Sequence, residues 1–412
     1  MGNILDITKY GAAGDGKTIN TFAIQKAIDE CKAGDTVLIP EGIFVSGALF
    51  LKGDMTLTVN GRLKGSEDVS DYPVFKYGYE GLTQACFASL INVKGDSENN
   101  EITNPHSVIH KNITINGSGT IDGSGTVLFE KELTETGPKR GRTICIRNTD
   151  GVTITGVKVR HSPSWCLHLL YCKNVLIENM EIHSRFDEEG NVYGKIFNND
   201  GLDLDSCDNC VVRNSLIASG DDCIAIKSGR DSEGRRVGIS SENIEIYNNT
   251  FKYGWGVVMG SEMSGGVRNV YVHDCEFLDT FSFAAVKAPR GRGAEVTDIV
   301  FERIKHYYAN ENYFKDCKWF RGALYIDNYY GLDVNDYNRP EETGEGTPFF
   351  RNLVFKDVMS ETVGGNGIFI CGLPEQHIKH VVLKNFHMKA KCGIILHNVD
   401  DLDWDNVTQE LF

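Results

Sequence analysis

From about residue 110 the chain repeats one move: a polar residue, usually Asn, followed by a short run in which apolar and polar positions alternate. The move appears as KNITINGSGTIDG (111–123), GVTITGVKVRHS (151–162), NVLIENMEIHS (174–184) and NCVVRNSLIAS (209–219). It continues as NIEIYNNTFKY (243–253), NVYVHDCEFLD (269–279), DIVFERIKHY (298–307), NLVFKDVMSE (352–361) and HVVLKNFHMKA (380–390). Period-two alternation with β-branched and aromatic members predicts strands. The starts at Asn174, Asn209, Asn243, Asn269 and Asp298 are separated by 35, 34, 26 and 29 residues. Strand repeats at that loose spacing predict a stacked coil, a parallel β-solenoid. A propeller needs four strands in each repeat of ~40–50 residues, and a sandwich does not repeat itself this way.

The first hundred residues differ. TFAIQKAIDECKAGD (21–35) places Ile24, Ala27, Ile28 and Cys31 at helical spacing, with Gly34 near the end. An open stack of strands exposes an apolar end, and a short helix there covers it. The expected organisation is one all-β domain over 1–412, with a capping helix in residues 1–60 and coils from about 110 to 400. No linker or low-complexity tract interrupts it.

Composition fits this picture. Gly is abundant (44) and Pro scarce (9), which suits many tight turns between strands. No apolar run approaches the ~20 residues of a membrane helix. The start, MGNILDITKYGAAGDGKT, lacks a basic segment followed by an apolar one. The expectation is a cytoplasmic protein, or a secreted or periplasmic one whose leader has been removed. The twelve cysteines are scattered, and CDNC (207–210) has no second CxxC or His pair to complete a zinc site. Buried thiols are the reading, with neither metal nor cofactor expected. A net charge of −15 argues against general nucleic-acid binding. An anionic substrate would have to meet a local cluster of Lys and Arg.

Candidate chemistry centres on GDDCIAIKSG (220–229), where Asp221 and Asp222 stand directly before an apolar run. An ordinary turn into a strand accounts for the doublet locally. One repeat earlier, NNDGLDLDSC (198–207) supplies Asp200, Asp203 and Asp205. Asp200 precedes Asp221 by 21 residues, about one shortened coil, and neighbouring coils lie ~4.8 Å apart. Clustered carboxylates push their pKa values apart, so that one acid keeps its proton while others stay ionised. Glycoside hydrolysis needs one group of each kind. Calcium is the competing use of clustered Asp, but no EF-hand spacing or GGxGxD repeat is present.

NNDGLDLDSC, GDDCIAIKSG, GWGVVMGSEMSGGVRNV (254–270) and VKAPRGRG (286–293) resemble, in order and spacing, the four signature blocks of glycoside hydrolase family 28, the polygalacturonases. KYGAAGDGKT (9–18) and SPSWCLHLLYCKNVLIEN (162–179) are similar to further segments of that family, so the likeness spans nearly the whole chain. The resemblance implies a right-handed parallel β-helix and an inverting hydrolase of α-galacturonosyl linkages that needs no cofactor. It makes Asp221 the general acid, Asp200 and Asp222 the pair that activates water, and Lys287 a ligand of the substrate carboxylate. Arg290 and Arg292 stand beside Lys287, and a solvated turn also accounts for either arginine. A lysine on an apolar strand needs a partner.

Two departures bear on the substrate. The family's Gly-His-Gly is here Gly254-Trp255-Gly256. Trp has one N–H donor and no acceptor, so it cannot relay protons as His does. It offers a flat face to a sugar ring, or else fills core. The family's Arg-Ile-Lys is here Ala285-Val286-Lys287, so a guanidinium is lost. GSEMSGGVRNV and RGRG look most like the exo-acting bacterial members. The aromatic stretch HYYANENYFKDCKWFRGALYIDNYYG (306–331) is expected to wall off one end of a groove. The expected activity is therefore trimming of pectic oligosaccharide or polysaccharide from an end. The alternatives are a galacturonidase or α-rhamnosidase acting on rhamnogalacturonan-type oligosaccharides, and a non-catalytic carbohydrate-binding β-helix.

Overall fold

The computed structural model describes residues 2–187, 191–194, 196–309, 321–332 and 336–412. They form two compact units, Met1–Asp203 with Cys207–Asp221, and Leu204–Ser206 with Asp222–Phe412. Both are built as a right-handed parallel β-helix, in which each turn of chain lays down three strands. In the first unit one turn comprises Thr149–Thr155, Lys158–Arg160 and Leu167–Leu170, and the next begins with Lys173–Glu178 and Glu181–His183. In the second, Ser241–Tyr247, Thr250–Lys252 and Val257–Gly260 make one turn.

Strands pair in register with their equivalents in the next turn, so each inward position becomes a column of apolar side chains. Ile113, Val152, Val175 and Cys210 form one such column, and Ile115, Ile154, Ile177 and Val212 another, all buried. In the second unit Ile246, Val272, Phe301, Phe355 and Leu383 line up in the same way, with Phe301 and Phe355 stacked 5.6 Å apart. A buried Val or Ile contributes about 1.5–3 kcal/mol relative to its exposed state, and here every turn adds several.

The recurrent Asn has a specific job. Asn174, Asn209, Asn243, Asn269 and Asp298 all adopt left-handed φ between 53° and 58°. Asn and Asp tolerate this conformation better than other non-glycine residues. The kink lets the chain turn a corner without a loop. Their side chains also link turn to turn, Asn209 donating to Asn174 at 2.6 Å and Asn269 to Asn243 at 2.6 Å. The sequence repeat is thus a corner repeat.

The N-terminal helix is shorter than its pattern predicts, spanning Thr21–Glu30 with Ala23, Ile24, Ala27 and Ile28 buried. Its last turn stops at Cys31, whose extended backbone (ψ 131°) ends the helix before Gly34 turns left-handed at φ 83°. The coils also begin far earlier than residue 110, with Thr36–Ile39, Ile43–Ser46 and Leu49–Leu51 already forming a turn. Asp54, at φ 57°, takes the corner in place of Asn there, which hid the repeat. An antiparallel hairpin, Val74–Tyr79 with Leu82–Phe87, interrupts the coil, its first strand alternating buried Phe75, Tyr77 and Tyr79 with outward residues. No helix among the described residues is long and apolar enough to cross a membrane.

Candidate active site

The third strand of successive turns carries the chemistry. Leu202–Asp205, Ile224–Lys227, Val257–Gly260 and Ala284–Lys287 point Leu, Ile, Val or Ala side chains inward at alternate positions. The residues between them, and those just before each strand, face the other way. Asp200, Asp222 and Trp255 each stand two residues before such a strand, and Lys287 ends one.

In the first unit Asp200 is buried and Asp221 half-buried, and their carboxylate oxygens lie within 4.8 Å of each other. Asp200 is fixed by its backbone, whose carbonyl accepts from Cys166 N–H at 2.8 Å on the preceding turn. Asp221 is fixed similarly, its carbonyl accepting from Ser219 Oγ at 2.7 Å. Gly220 is required between them. A Cβ there would lie 2.3 Å from Arg185 Cδ and 2.5 Å from Asn199 Oδ1. The backbone of the doublet therefore nests against Arg185 and Asn199. Asp222 follows Asp221 directly in the chain.

In the second unit Asp222 accepts two hydrogen bonds from Lys287 Nζ, at 3.1 and 3.2 Å, with both residues buried. Lys287 Nζ also lies 4.8 Å from the Tyr330 ring centre and 5.8 Å from that of Trp255, so two aromatic faces frame the ammonium. Trp255 is partly buried and stacks on Phe281 at 4.3 Å. One of its faces is thus committed to protein. Ala285 lies in an apolar cluster with Val258, Tyr325 and Phe369, paired in register with Val258 on one side and Tyr325 on the other.

Arg290 and Arg292 are occupied within the protein. Arg290 makes a bidentate pair with Glu375 at 2.6 and 2.9 Å. Arg292 donates to the Ser261 carbonyl at 2.8 Å and to Asp231 at 2.6 Å. Of the aromatic stretch of 306–331, residues 310–320 lie outside the described residues, and with them most of the expected end wall.

Two groups the sequence reading passed over complete the charge balance. Lys227 Nζ lies 3.3 Å from Glu262, and both are buried. Burial alone would raise the Glu262 carboxyl, but Lys227, then Arg292 and Lys287, outweigh it and hold it down to about 2. Lys227, Lys287 and Arg292 thus surround Glu262, and each is balanced by a buried or half-buried carboxylate, Glu262, Asp222 and Asp231 in turn. Both overlooked residues stand inside quoted motifs. The usable signal was a lysine closing the apolar strand "CIAIK", the same argument that singled out Lys287.

With this geometry in hand, comparison with known proteins is decisive. The profile of Glycosyl hydrolases family 28 matches residues 32–390. The chain belongs to that family. It is 31% identical to an exo-poly-alpha-D-galacturonosidase of Dickeya chrysanthemi over 98% of this chain and 70% of the relative. The structure of a hyperthermoactive exopolygalacturonase from Thermotoga maritima superposes with a TM-score of 0.81 at 26% identity, covering 99% of this chain and 91% of that one. A polygalacturonase from Erwinia carotovora shares the fold, with a TM-score of 0.72 at 21% identity over 98% and 96% of the two chains. The family 28 chain described here is a glycoside hydrolase.

Proposed function

We propose that this family 28 chain hydrolyses α-galacturonosyl linkages in pectic glycans from a chain end, with inversion at the anomeric carbon. The observation that carries the reading is the Asp200–Asp221 pair, which brings a carboxylate oxygen of each within 4.8 Å just before the strands Leu202–Asp205 and Ile224–Lys227. A pure binder of anionic sugars gains nothing from clustered carboxylates, which repel its ligand. In the proposed reaction protonated Asp221 gives its proton to the glycosidic oxygen as the C–O bond breaks. Asp200 and Asp222 hold a water on the opposite face, take its proton and deliver its oxygen to the anomeric carbon. Inversion is argued from the family and not from carboxylate spacing. Lys287 supplies positive charge for the sugar carboxylate.

Exo action is supported by the exo-acting names of the relatives in Dickeya and Thermotoga. A second reading, in which a neutral or modified sugar neighbours the bond, is favoured by Ala285, buried among apolar groups where the family has an arginine. Digestion of polygalacturonan tests both. The proposal expects single galacturonic acid units and slow loss of viscosity. Rapid thinning with mixed oligomers would contradict exo action, and cleavage confined to rhamnose-containing oligomers would favour the second reading.

A further inference from the structure

The chain carries Ala, not a guanidinium, at position 285. Arg290 and Arg292, its neighbours in sequence, are tied to Glu375 and to Asp231 with Ser261. Arg321 is not tied in this way. Its guanidinium lies 5.3 Å above the Phe369 ring and, among the described residues, donates once, from Nη1 to the Tyr337 hydroxyl at 2.9 Å. The nearest carboxylate is Asp327, 3.9 Å from Nε and beyond hydrogen-bond reach. That carboxylate is already engaged, its Oδ2 accepting from Tyr325 Oη at 2.6 Å and its Oδ1 from Tyr329 N–H at 2.8 Å. Burial pushes the Asp327 carboxyl up, against the pull of Tyr325, the Tyr329 N–H and Arg321.

The placement of Arg321 follows from the ladder. Ala285 pairs with Tyr325, and Tyr325 with Phe369, so the ring under Arg321 is two turns, or ~10 Å, beyond Ala285 on the same face. Lys287 belongs to the same strand as Ala285, and pairs with Asp327. Ala285, Tyr325 and Phe369 belong to one apolar cluster, with Trp255 and Tyr330 packed against it. The Arg321 side chain is 25% exposed, whereas that of Lys287 is 7% exposed. A planar guanidinium that makes one hydrogen bond among the described residues and sits on an aromatic ring has the geometry of a bidentate carboxylate receptor.

We propose that Arg321 binds the carboxylate of a second uronic residue of the substrate, adjacent to the sugar served by Lys287. This makes Arg321 a specificity residue for chain length and free acid, and it rests on the pectic reading of the site. Calorimetric titration of the Asp221→Asn enzyme measures binding without turnover. Its ligands are digalacturonate, trigalacturonate and fully methyl-esterified trigalacturonate. Adding Arg321→Gln should weaken trigalacturonate at least ten-fold and leave the ester within two-fold, so that preference for acid over ester falls at least five-fold. Arg321→Lys should recover part of that preference. Equal losses for acid and ester, or no loss for either, would overturn the assignment while leaving the pectic reading intact. Failure of folded Asp221→Asn protein to bind any galacturonate would instead overturn the pectic reading, and this inference with it.

Discussion

Lys287 holds Asp222 through two hydrogen bonds of 3.1 and 3.2 Å, in a site where both side chains are almost sealed from water. Removing one partner of such a pair strands the other charge and costs about 3–5 kcal/mol, whereas removing both costs far less. Lys287→Met should therefore lower the melting temperature markedly. The Lys287→Met/Asp222→Asn double variant should regain most of that loss and remain inactive. Additive losses in thermal denaturation would show that the two residues do not act as a pair.

Asp221 is half-buried and, unlike Asp222, is assigned the proton. Asp221→Asn keeps the shape and removes the acid, so kcat should fall about 10²–10⁴-fold. The melting temperature should stay close to that of the parent. Substrates with a good phenolate leaving group need little protonation and should lose much less. A uniform loss across leaving groups would move the acid role to another residue.

The solenoid was legible because its corners are marked. Asn174, Asn209, Asn243 and Asn269 advertise left-handed corners, and the alternation around them separates core from surface. The carboxylates were legible because Asp200 and the Asp221–Asp222 doublet repeat in neighbouring turns. Partner choice was not. Sequence proximity put Arg290 and Arg292 beside Lys287, but Glu375 and Asp231, distant in the chain, claim them. Arg321 was invisible for the converse reason: its importance comes from Phe369 and Tyr337, brought near by the stacking of turns.

Acid should weaken the fold in two separate windows. Burial pushes the His306 imidazole down to about 4, its Nε2–H donating to the Thr280 carbonyl at 3.0 Å and the neutral ring's Nδ1 accepting from Ser360 Oγ at 2.9 Å. The fold thus favours neutral His306, and this contribution is present above the ordinary value near 6.5 and lost as pH falls towards 4. Glu262, held down to about 2, contributes above the ordinary 4.5 and is lost as pH falls from there towards 2. Each is on the order of 3 kcal/mol. Urea midpoints against pH should flatten between 6.5 and 4 in His306→Gln, and between 4.5 and 2 in Glu262→Gln. An unchanged slope in either variant would contradict the assignment of that window.

Restoring the family arginine should not restore a family-like site. Ala285 is 1% exposed and packed by Val258 and Tyr325, so Ala285→Arg forces a charge into an apolar cluster. Overpacking alone costs about 1–3 kcal/mol, and an unpaired charge adds to it. The variant should melt well below the parent and gain no affinity for galacturonate oligomers. A stable variant with tighter binding would mean that the cluster opens towards the substrate.

The central claim is that Asp221 protonates the leaving oxygen while water attacks from the opposite face. Proton NMR of the anomeric region during the first minutes of digestion of trigalacturonate tests it most directly. Inversion of the α-linkage predicts that β-galacturonic acid appears first, with the α-anomer growing in only by mutarotation. Initial release of the α-anomer would contradict the account.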